Sequence, residues 1–365
     1  MRVLFVARRF PPSVGGMERF AQDLNNNLAK KVAVVAITWG GSNKWLPIVL
    51  PWFFIKAFFI LLFNRRIEVI HMQDAVQAPI GWLLGCIFKK PFIVVAHGLD
   101  ITYKQKFYQA TIIRFVKKAA RVICISAATR EECIKRGIDS GILEVITLGV
   151  SDDYGGNPTP DRKALAERTK LNLDDKKIII TTGRLVKRKG VSWFIKNALP
   201  AIVKNNKDTM YVVAGSGEQR DRICEAISES GLESYVKLLG SIDDGTKSIL
   251  YQSADIFVMP NIVVPNDMEG FGIVAHEAAM AGIPVVASKL QGIIDAISDR
   301  KNGILVKPGD ADSFVKQIDK LLGDGNYRRK FGMSARNYTM KNYGWENIAS
   351  KYVKVYEEVV DNVCG

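Results

Sequence analysis

The sequence predicts an α/β protein built from two doubly wound parallel sheets, each in its own domain. Three observations carry this. The 365 residues are more than one hydrophobic core ordinarily organises, so two cores are expected. Short apolar runs rich in β-branched residues recur along the chain, nearly continuous rather than alternating, as in strands covered on both faces. Helix-period segments separate these runs, and the strand–helix alternation occurs twice.

The chain opens with an expected strand at 3–7, cut off by Arg8-Arg9, so the N-terminus reads as a first buried strand and not as a signal peptide. Further strands of the first half are expected at 32–38, 69–72, 92–96, 122–126 and 144–148. Between the second and third lies Leu46–Phe63, whose sole charge is Lys56. It is about as long as the shortest membrane spans, roughly 17–25 residues. Pro47, Pro51 and Lys56 weigh against a span. A buried or domain-covering helix, a surface that dips into the bilayer interface, and a true span are the three readings. The turn-rich run Gly155-Gly156-Asn157-Pro158-Thr159-Pro160-Asp161 places the domain boundary within 152–175, dividing a domain of 1–160 from one of 161–344. Strands of the second half are expected at 178–182, 210–214, 236–239, 256–259, 284–287 and 303–306. The last helix, about 345–360, is amphipathic.

Composition narrows the function. Five cysteines with no CxxC pair argue against a zinc site and a disulfide framework, and point to a reducing compartment. Three histidines, at 71, 97 and 276, make a His-rich metal centre an unsuitable reading, and no metal site is expected. Residues 1–150 hold 21 Lys and Arg against 9 Asp and Glu, so nearly all of the net charge of +14 sits in the first half. A one-sided basic domain suggests an anionic membrane surface or a phosphorylated acceptor. No nucleic-acid motif accompanies the charge, so nucleic acid ranks last.

Two motifs carry chemistry. Gly183-Arg184-Leu185-Val186-Lys187-Arg188-Lys189-Gly190 follows the strand at 178–182 and places cations at a strand's carboxyl end, where open α/β sheets bind ligands. Arg184 can fork two phosphate oxygens and Lys189 can add a point charge; a solvated basic loop is the alternative. Met268-Glu269-Gly270-Phe271-Gly272-Ile273-Val274-Ala275-His276-Glu277 follows the strand at 256–259. Its glycines allow close approach of backbone to a ligand, and the helix start after Gly272 offers unpaired amides to phosphate. Glu277 can reach a ribose diol and Glu269 a hydroxylated ring. The alternative makes Glu269 an acid near the helix cap and Glu277 a surface charge.

These residues resemble the GT-B glycosyltransferases of family 4, retaining enzymes with an E-x7-E signature that Glu269 and Glu277 match. The resemblance covers most of the chain. Phe10-Pro11-Pro12 with Gly15-Gly16-Met17-Glu18 is similar to the family's first loop, and Ala96-His97-Gly98-Leu99-Asp100 to its HGxD segment. Gly183-Arg184 with Lys189-Gly190 is similar to its basic loop, and Ala214-Gly215-Ser216-Gly217 to its glycine turn. Ala281-Gly282-Ile283-Pro284-Val285-Val286 resembles the stretch after the second glutamate. The order and spacing of the pieces make the likeness specific.

The resemblance implies two Rossmann-like domains facing across a donor/acceptor cleft, with the C-terminal helix, about 345–365, packing back on the first. It implies that Glu269 hydrogen-bonds the donor sugar and Glu277 the ribose, that amides of Gly270, Phe271, Gly272, Ile273 and Val274 meet sugar and diphosphate, and that Arg184 and Lys189 neutralise the leaving group. Gly16 leaves room for phosphate, Gly215 belongs to the donor site, and His97 touches the sugar. His71 reads as a packed or supporting residue and His276 as structural. Gln291-Gly292-Ile293-Ile294-Asp295 replaces the family's GGxxE-like loop, so Asp295 stands in with a shorter reach; Thr147-Leu148-Gly149-Val150 replaces its Asn-Gly before Val-Asp. The expected reaction moves a hexose from a UDP- or GDP-sugar with retention, by front-face departure and attack, without a metal or other cofactor. The expected acceptor is a lipid-linked or cell-envelope glycan held by the first domain, with domain closure excluding water. The expected location is cytoplasmic, peripheral at the inner face of the cell membrane, with Lys89-Lys90 and Lys117-Lys118 as candidate lipid contacts. The rival functions are a GT-B epimerase or phosphorylase, and a nucleotide-sugar-binding subunit that needs a partner.

Overall fold

The computed structural model describes residues 1–13, 15–152, 162–265 and 267–364. The turn-rich stretch 155–161 lies outside them. The chain divides into two compact units, Met1–Gly149 with Tyr343–Gly365, and Val150–Asn342.

The first unit is built on a parallel sheet of β1 (Arg2–Ala7), β2 (Ala33–Thr38), β3 (Val69–Met72), β4 (Phe92–Ala96), β5 (Arg121–Cys124) and β6 (Leu143–Val145), in the order β2-β1-β3-β4-β5-β6. Residues 3–7 of β1 are fully buried because both faces of this strand are covered. Alternate residues serve alternate faces. Leu4 and Val6 join a core with Phe53, Ala57 and Leu61 of the Leu46–Phe63 helix. On β3, His71 stacks on Phe5 with ring centroids 4.6 Å apart, and Tyr352 and Tyr356 of the final helix, Trp345–Cys364, contact the same imidazole. The C-terminal helix therefore fills one face of the first sheet. Edge strand β2 buries only Ile37, so its apolar run stays largely open.

The Leu46–Phe63 helix is neither buried nor polar on its outer side. Val49, Phe53, Ala57 and Leu61 recur every four residues and pack inward. Only 22% of the helix is buried, and its exposed side is apolar as well.

The second unit repeats the architecture with β7 (Lys177–Thr182), β8 (Thr209–Ala214), β9 (Val236–Gly240), β10 (Ile256–Met259), β11 (Val285–Ser288) and β12 (Ile304–Val306), ordered β12-β11-β10-β7-β8-β9. Its core runs from Ile179 and Val213 through Phe194 to Phe314 and Ile318. In both sheets the order reverses beside the first strand, between β1 and β3 and between β7 and β10. Loops leaving the carboxyl ends of such a pair diverge, and the crevice between them is where open α/β sheets hold ligands. In the second unit those loops are residues 183–190, the basic motif of the sequence, and 260–272, which runs into the other motif at 268–277.

Two buried histidines give the fold a defined acid response. His71 donates from Nε2 to Gln73 Oε1 at 2.7 Å and accepts from the Tyr356 hydroxyl at Nδ1, also at 2.7 Å. His276 donates from Nε2 to the Ala296 carbonyl at 2.8 Å. Burial, which outweighs their hydrogen bonds, lowers both pKa values to about 4. A depressed histidine pKa means that the unfolded chain takes up the proton first. The stability each residue supplies is complete above its unfolded value near 6.5 and is lost as pH falls toward 4, amounting to about 2 kcal/mol each by pH 5. Urea melts at pH 7.5 and pH 5 should show this loss. His276→Gln, which keeps an amide donor but does not titrate, should reduce the acid sensitivity of the second unit; an unchanged difference would refute the burial argument.

Candidate functional site

The site forms where the β7 and β10 loops meet. Gly183, at φ 126°, turns the chain off β7, and Gly190, at φ 66°, ends the Lys187–Lys189 turn. A Cβ on Gly190 would stand 1.9 Å from the Pro260 carbonyl oxygen, so glycine is what allows the two loops to touch. The Ile262 amide then donates to the Arg188 carbonyl at 3.0 Å and locks them together.

Glu269 is the centre of this contact. Its Oε2 lies 2.7 Å from Lys189 Nζ, accepts from Asn261 Nδ2 at 3.1 Å, and is 3.6 Å from Arg188 Nε. Its backbone amide donates to Gln291 Oε1 at 2.7 Å. Arg188 is anchored from its other side by Asp267, 3.0 Å away. Burial alone would raise the Glu269 pKa, but the Lys189 and Arg188 charges, with hydrogen bonds from Lys189 and Asn261, overcome it and hold the carboxyl below its usual range. Glu269 is therefore a fixed anion, unsuited to donate a proton near neutral pH. All three partners reach Oε2, which leaves Oε1 clear of them.

Beyond Glu269 the chain makes a second glycine-dependent approach. A Cβ on Gly292 would lie 2.1 Å from the Gly270 carbonyl oxygen, and Gly272, at φ 84°, starts the Ile273–Met280 helix. Phe271 is buried and sets its ring edge-on against His276, with centroids 5.0 Å apart, so its side chain belongs to the core. Glu277, on the same helix, is buried and not a surface charge. Lys247 Nζ sits 2.8 Å from its Oε1 and 2.7 Å from Oε2, and the Tyr251 hydroxyl donates to Oε2 at 3.1 Å. Tyr251 also meets Thr182 Oγ1 at 2.6 Å, at the end of β7. Glu277 is thus held between the helix Asp244–Ser253 and the sheet.

The remaining candidates fall into distinct places. Arg184 is exposed at the start of the basic loop. Gly215 ends β8 against Gly183, where a Cβ would come within 1.8 Å of the Gly183 carbonyl oxygen. Asp295 is half-buried on the short helix Ile293–Ala296, one turn past Gln291. In the first unit, Gly16 begins the Gly16–Leu28 helix, and His97 ends β4. His97 Nε2 donates to the Gln73 carbonyl at 2.8 Å, and its amide donates to Asp100 Oδ1 at 2.8 Å. That hydrogen bond fixes the proton on Nε2 and leaves Nδ1 as the nitrogen without one in the neutral ring. His71 touches no other candidate except through Gln73.

Sequence reading missed Arg188, Asn261, Asp267, Lys247, Tyr251 and Gln291. Arg188 stood inside the basic loop, but nothing in the sequence says that of three adjacent cations it turns inward. Lys247 and Tyr251 are four apart on one helix face, which was legible; their meeting with Glu277 was not, because a helix crossing sets it.

Residues 164–338 match the family described as glycosyl transferases group 1, and residues 14–154 match glycosyltransferase family 4. The chain belongs to glycosyltransferase family 4. Across 98% of its length it is 29% identical to an uncharacterised glycosyltransferase of Methanocaldococcus jannaschii, of which 98% is covered. It is 25% identical, over 97% of both chains, to a GDP-mannose-dependent alpha-(1-6)-phosphatidylinositol monomannoside mannosyltransferase of Mycolicibacterium smegmatis. Among solved structures, Anabaena HepE in complex with UDP and glucose superposes with a TM-score of 0.75 at 19% identity, over 98% of this chain and 99% of that one. Sucrose-phosphate synthase from Thermosynechococcus elongatus gives 0.77 at 21% identity, over 99% and 100%. The two sheets are those of the GT-B fold, and this family 4 protein is a transferase of sugars.

Proposed function

We propose that this family 4 enzyme transfers a hexose, with retention, from a UDP- or GDP-sugar to a lipid-linked or cell-envelope glycan acceptor at the inner membrane surface. The observation that carries the donor half is the Lys189–Glu269 pair, built across the switch point of the second sheet at the mouth of a glycine-started helix. Expelling a nucleoside diphosphate requires fixed positive charge where the leaving group gathers negative charge. Lys189 spends one N–H on Glu269 and has two more for phosphate. Arg184 adds a fork at the rim, and the Ile273 and Val274 amides add the helix N-terminus. Together they fill the part a divalent ion would otherwise play. Glu269 Oε1 takes a sugar hydroxyl and Glu277 the ribose diol, with about four lone-pair sites to share between Lys247, Tyr251 and the ribose. Glu269, held as an anion, orients the ring and does not protonate the leaving group.

The mycobacterial relatives favour a membrane-borne acceptor, since by name they act on phosphatidylinositol monomannoside with GDP-mannose. HepE, solved with UDP-glucose, favours the uridine alternative. A thermal-shift screen against UDP-, GDP- and ADP-sugars separates them, because a ligand that binds only the folded form raises Tm by mass action. The expected result is a shift with a UDP- or GDP-sugar that persists in EDTA. Glu277→Ala should weaken it about tenfold or more, the worth of a charged hydrogen bond, with a much smaller effect on kcat. A nucleotide sugar incubated alone should stay largely intact; its epimerisation, or no shift with any donor, would sink the proposal.

A further inference from the structure

We propose that the Leu46–Phe63 helix lies flat in the interface of an anionic membrane, its apolar outer stripe among the acyl chains and Lys56, Arg65 and Arg66 against lipid phosphates. The inference rests on the membrane-surface acceptor proposed above. It adds which surface docks and in what orientation.

The exposed apolar residues are not scattered. Ile48, Trp52, Ile55, Phe59 and Leu62 follow one another at spacings of three and four, which is a single helical stripe, and they are 41% to 62% exposed. Phe63 beside them is 82% exposed. This stripe points away from the inward one of Val49, Phe53, Ala57 and Leu61. A helix that is apolar on its outer side as well, with only 22% of its residues buried, leaves that side without a partner in water. The neighbouring helix Ala78–Phe88, joined to it through Phe58 and Phe88, carries exposed Leu83 and Ile87 and ends on Lys89 and Lys90.

Charge identifies the partner. At the helix's C-terminal end a cavity of about 1070 Å³ is lined by Phe59, Ile60, Leu62 and Phe63 together with Arg2, Lys56, Arg65 and Arg66. No carboxylate lines it among the described residues. Apolar wall next to unneutralised cations matches the boundary between acyl chain and phosphate in an anionic phospholipid. Lys56 Nζ also sits 4.9 Å over the Trp52 ring, pairing a cation with an aromatic suited to the headgroup level.

Flat docking, rather than spanning, follows from the inward stripe. A span would pull Val49, Phe53, Ala57 and Leu61 out of the core they share with Leu4 and Val6. The helix leaves the carboxyl end of β2 and returns to the amino end of β3, so it runs antiparallel along the sheet. Its Trp45–Trp52 end therefore lies nearest the carboxyl ends of the first sheet, where ligands bind. Lying flat brings that edge beside the bilayer, within reach of an acceptor whose lipid stays in the membrane.

The test uses the purified full chain with vesicles of phosphatidylcholine alone or mixed with phosphatidylglycerol. Co-sedimentation should require the anionic lipid and weaken with salt. Arg65→Gln with Arg66→Gln should cost about five-fold in affinity per charge, about 25-fold together. Ile55→Ser with Phe59→Ser and Phe63→Ser should abolish binding, and brominated lipid should quench Trp52 in the parent but not in that triple variant. All these positions are exposed, and an unchanged donor-induced Tm shift shows that the variants are folded. Anionic-vesicle binding that survives both variants would overturn the proposal, as would a dimer in solution that the triple variant dissociates, or a helix that holds the protein in membranes until detergent is added. Absence of a donor shift in the parent would refute sugar transfer without touching the docking surface.

Discussion

Glu269→Ala should lower kcat/KM for sugar transfer by about 100- to 1000-fold, most of it in kcat, the scale set by losing one preorganised polar contact in a reaction centre. The carboxylate does two jobs at once. On the proposed reading it meets the donor ring through Oε1 and sets Lys189 toward the diphosphate, since its Oε2 holds that lysine at 2.7 Å. Alanine removes the first contact and leaves Lys189 and Arg188 repelling each other across the gap, with only Asp267 to hold Arg188. Glu269→Gln keeps a hydrogen-bonding group but not the charge, so it should recover part of the ring contact and little of the lysine's placement. Steady-state kinetics with the donor identified by thermal shift measures both variants, and circular dichroism checks that each is folded. Transfer at the parental rate in Glu269→Ala would mean that the catalytic pocket lies elsewhere.

Gly190→Ala should destabilise the second unit by about 2–4 kcal/mol, lowering Tm by roughly 5–15 °C, and should weaken donor binding in proportion to the disturbed loop. Two costs add. The residue has φ 66°, where a side chain is strained, and its Cβ would lie 1.9 Å from the Pro260 carbonyl oxygen, backbone that cannot yield without parting the loops after β7 and β10. Gly309→Ala supplies the control. It has φ 77° but open space around the added carbon, so it should cost only the backbone strain, about 1 kcal/mol. Differential scanning calorimetry of the two variants separates strain from clash. Equal losses would show that the loop approach at Pro260 carries no energy.

Much of the fold was legible because parallel strands buried on both faces must be apolar throughout, and runs such as Ile178-Ile179-Ile180 have few other uses. The edges were less so. β2 is as apolar as β1, yet the sheet leaves it largely open, because position in the sheet and not composition decides coverage. The Leu46–Phe63 helix shows the same limit: three readings fitted its sequence, and the structure gives it a buried stripe and an exposed one that share the same kind of residue.

The candidate site divides along similar lines. By itself the sequence determined which chemical groups are present and roughly where each sits on its element: a basic loop after one strand, glycines and two carboxylates after another, and a helix start between them. Those follow from local rules that a few neighbouring residues satisfy. Only the tertiary structure decided which of them meet. Sheet order brings β7 beside β10 across 77 residues, as in the hydrogen bond from Thr181 to the Val258 carbonyl, and so sets Lys189 against Glu269. A helix crossing sets Lys247 and Tyr251 against Glu277, and a contact between loops turns Arg188 inward while Arg184 stays at the rim. The physical reason is range. Strand and helix signals act over a few bonds, whereas the field around Glu269 is summed from charges that chain connectivity keeps far apart and only packing brings within 4 Å.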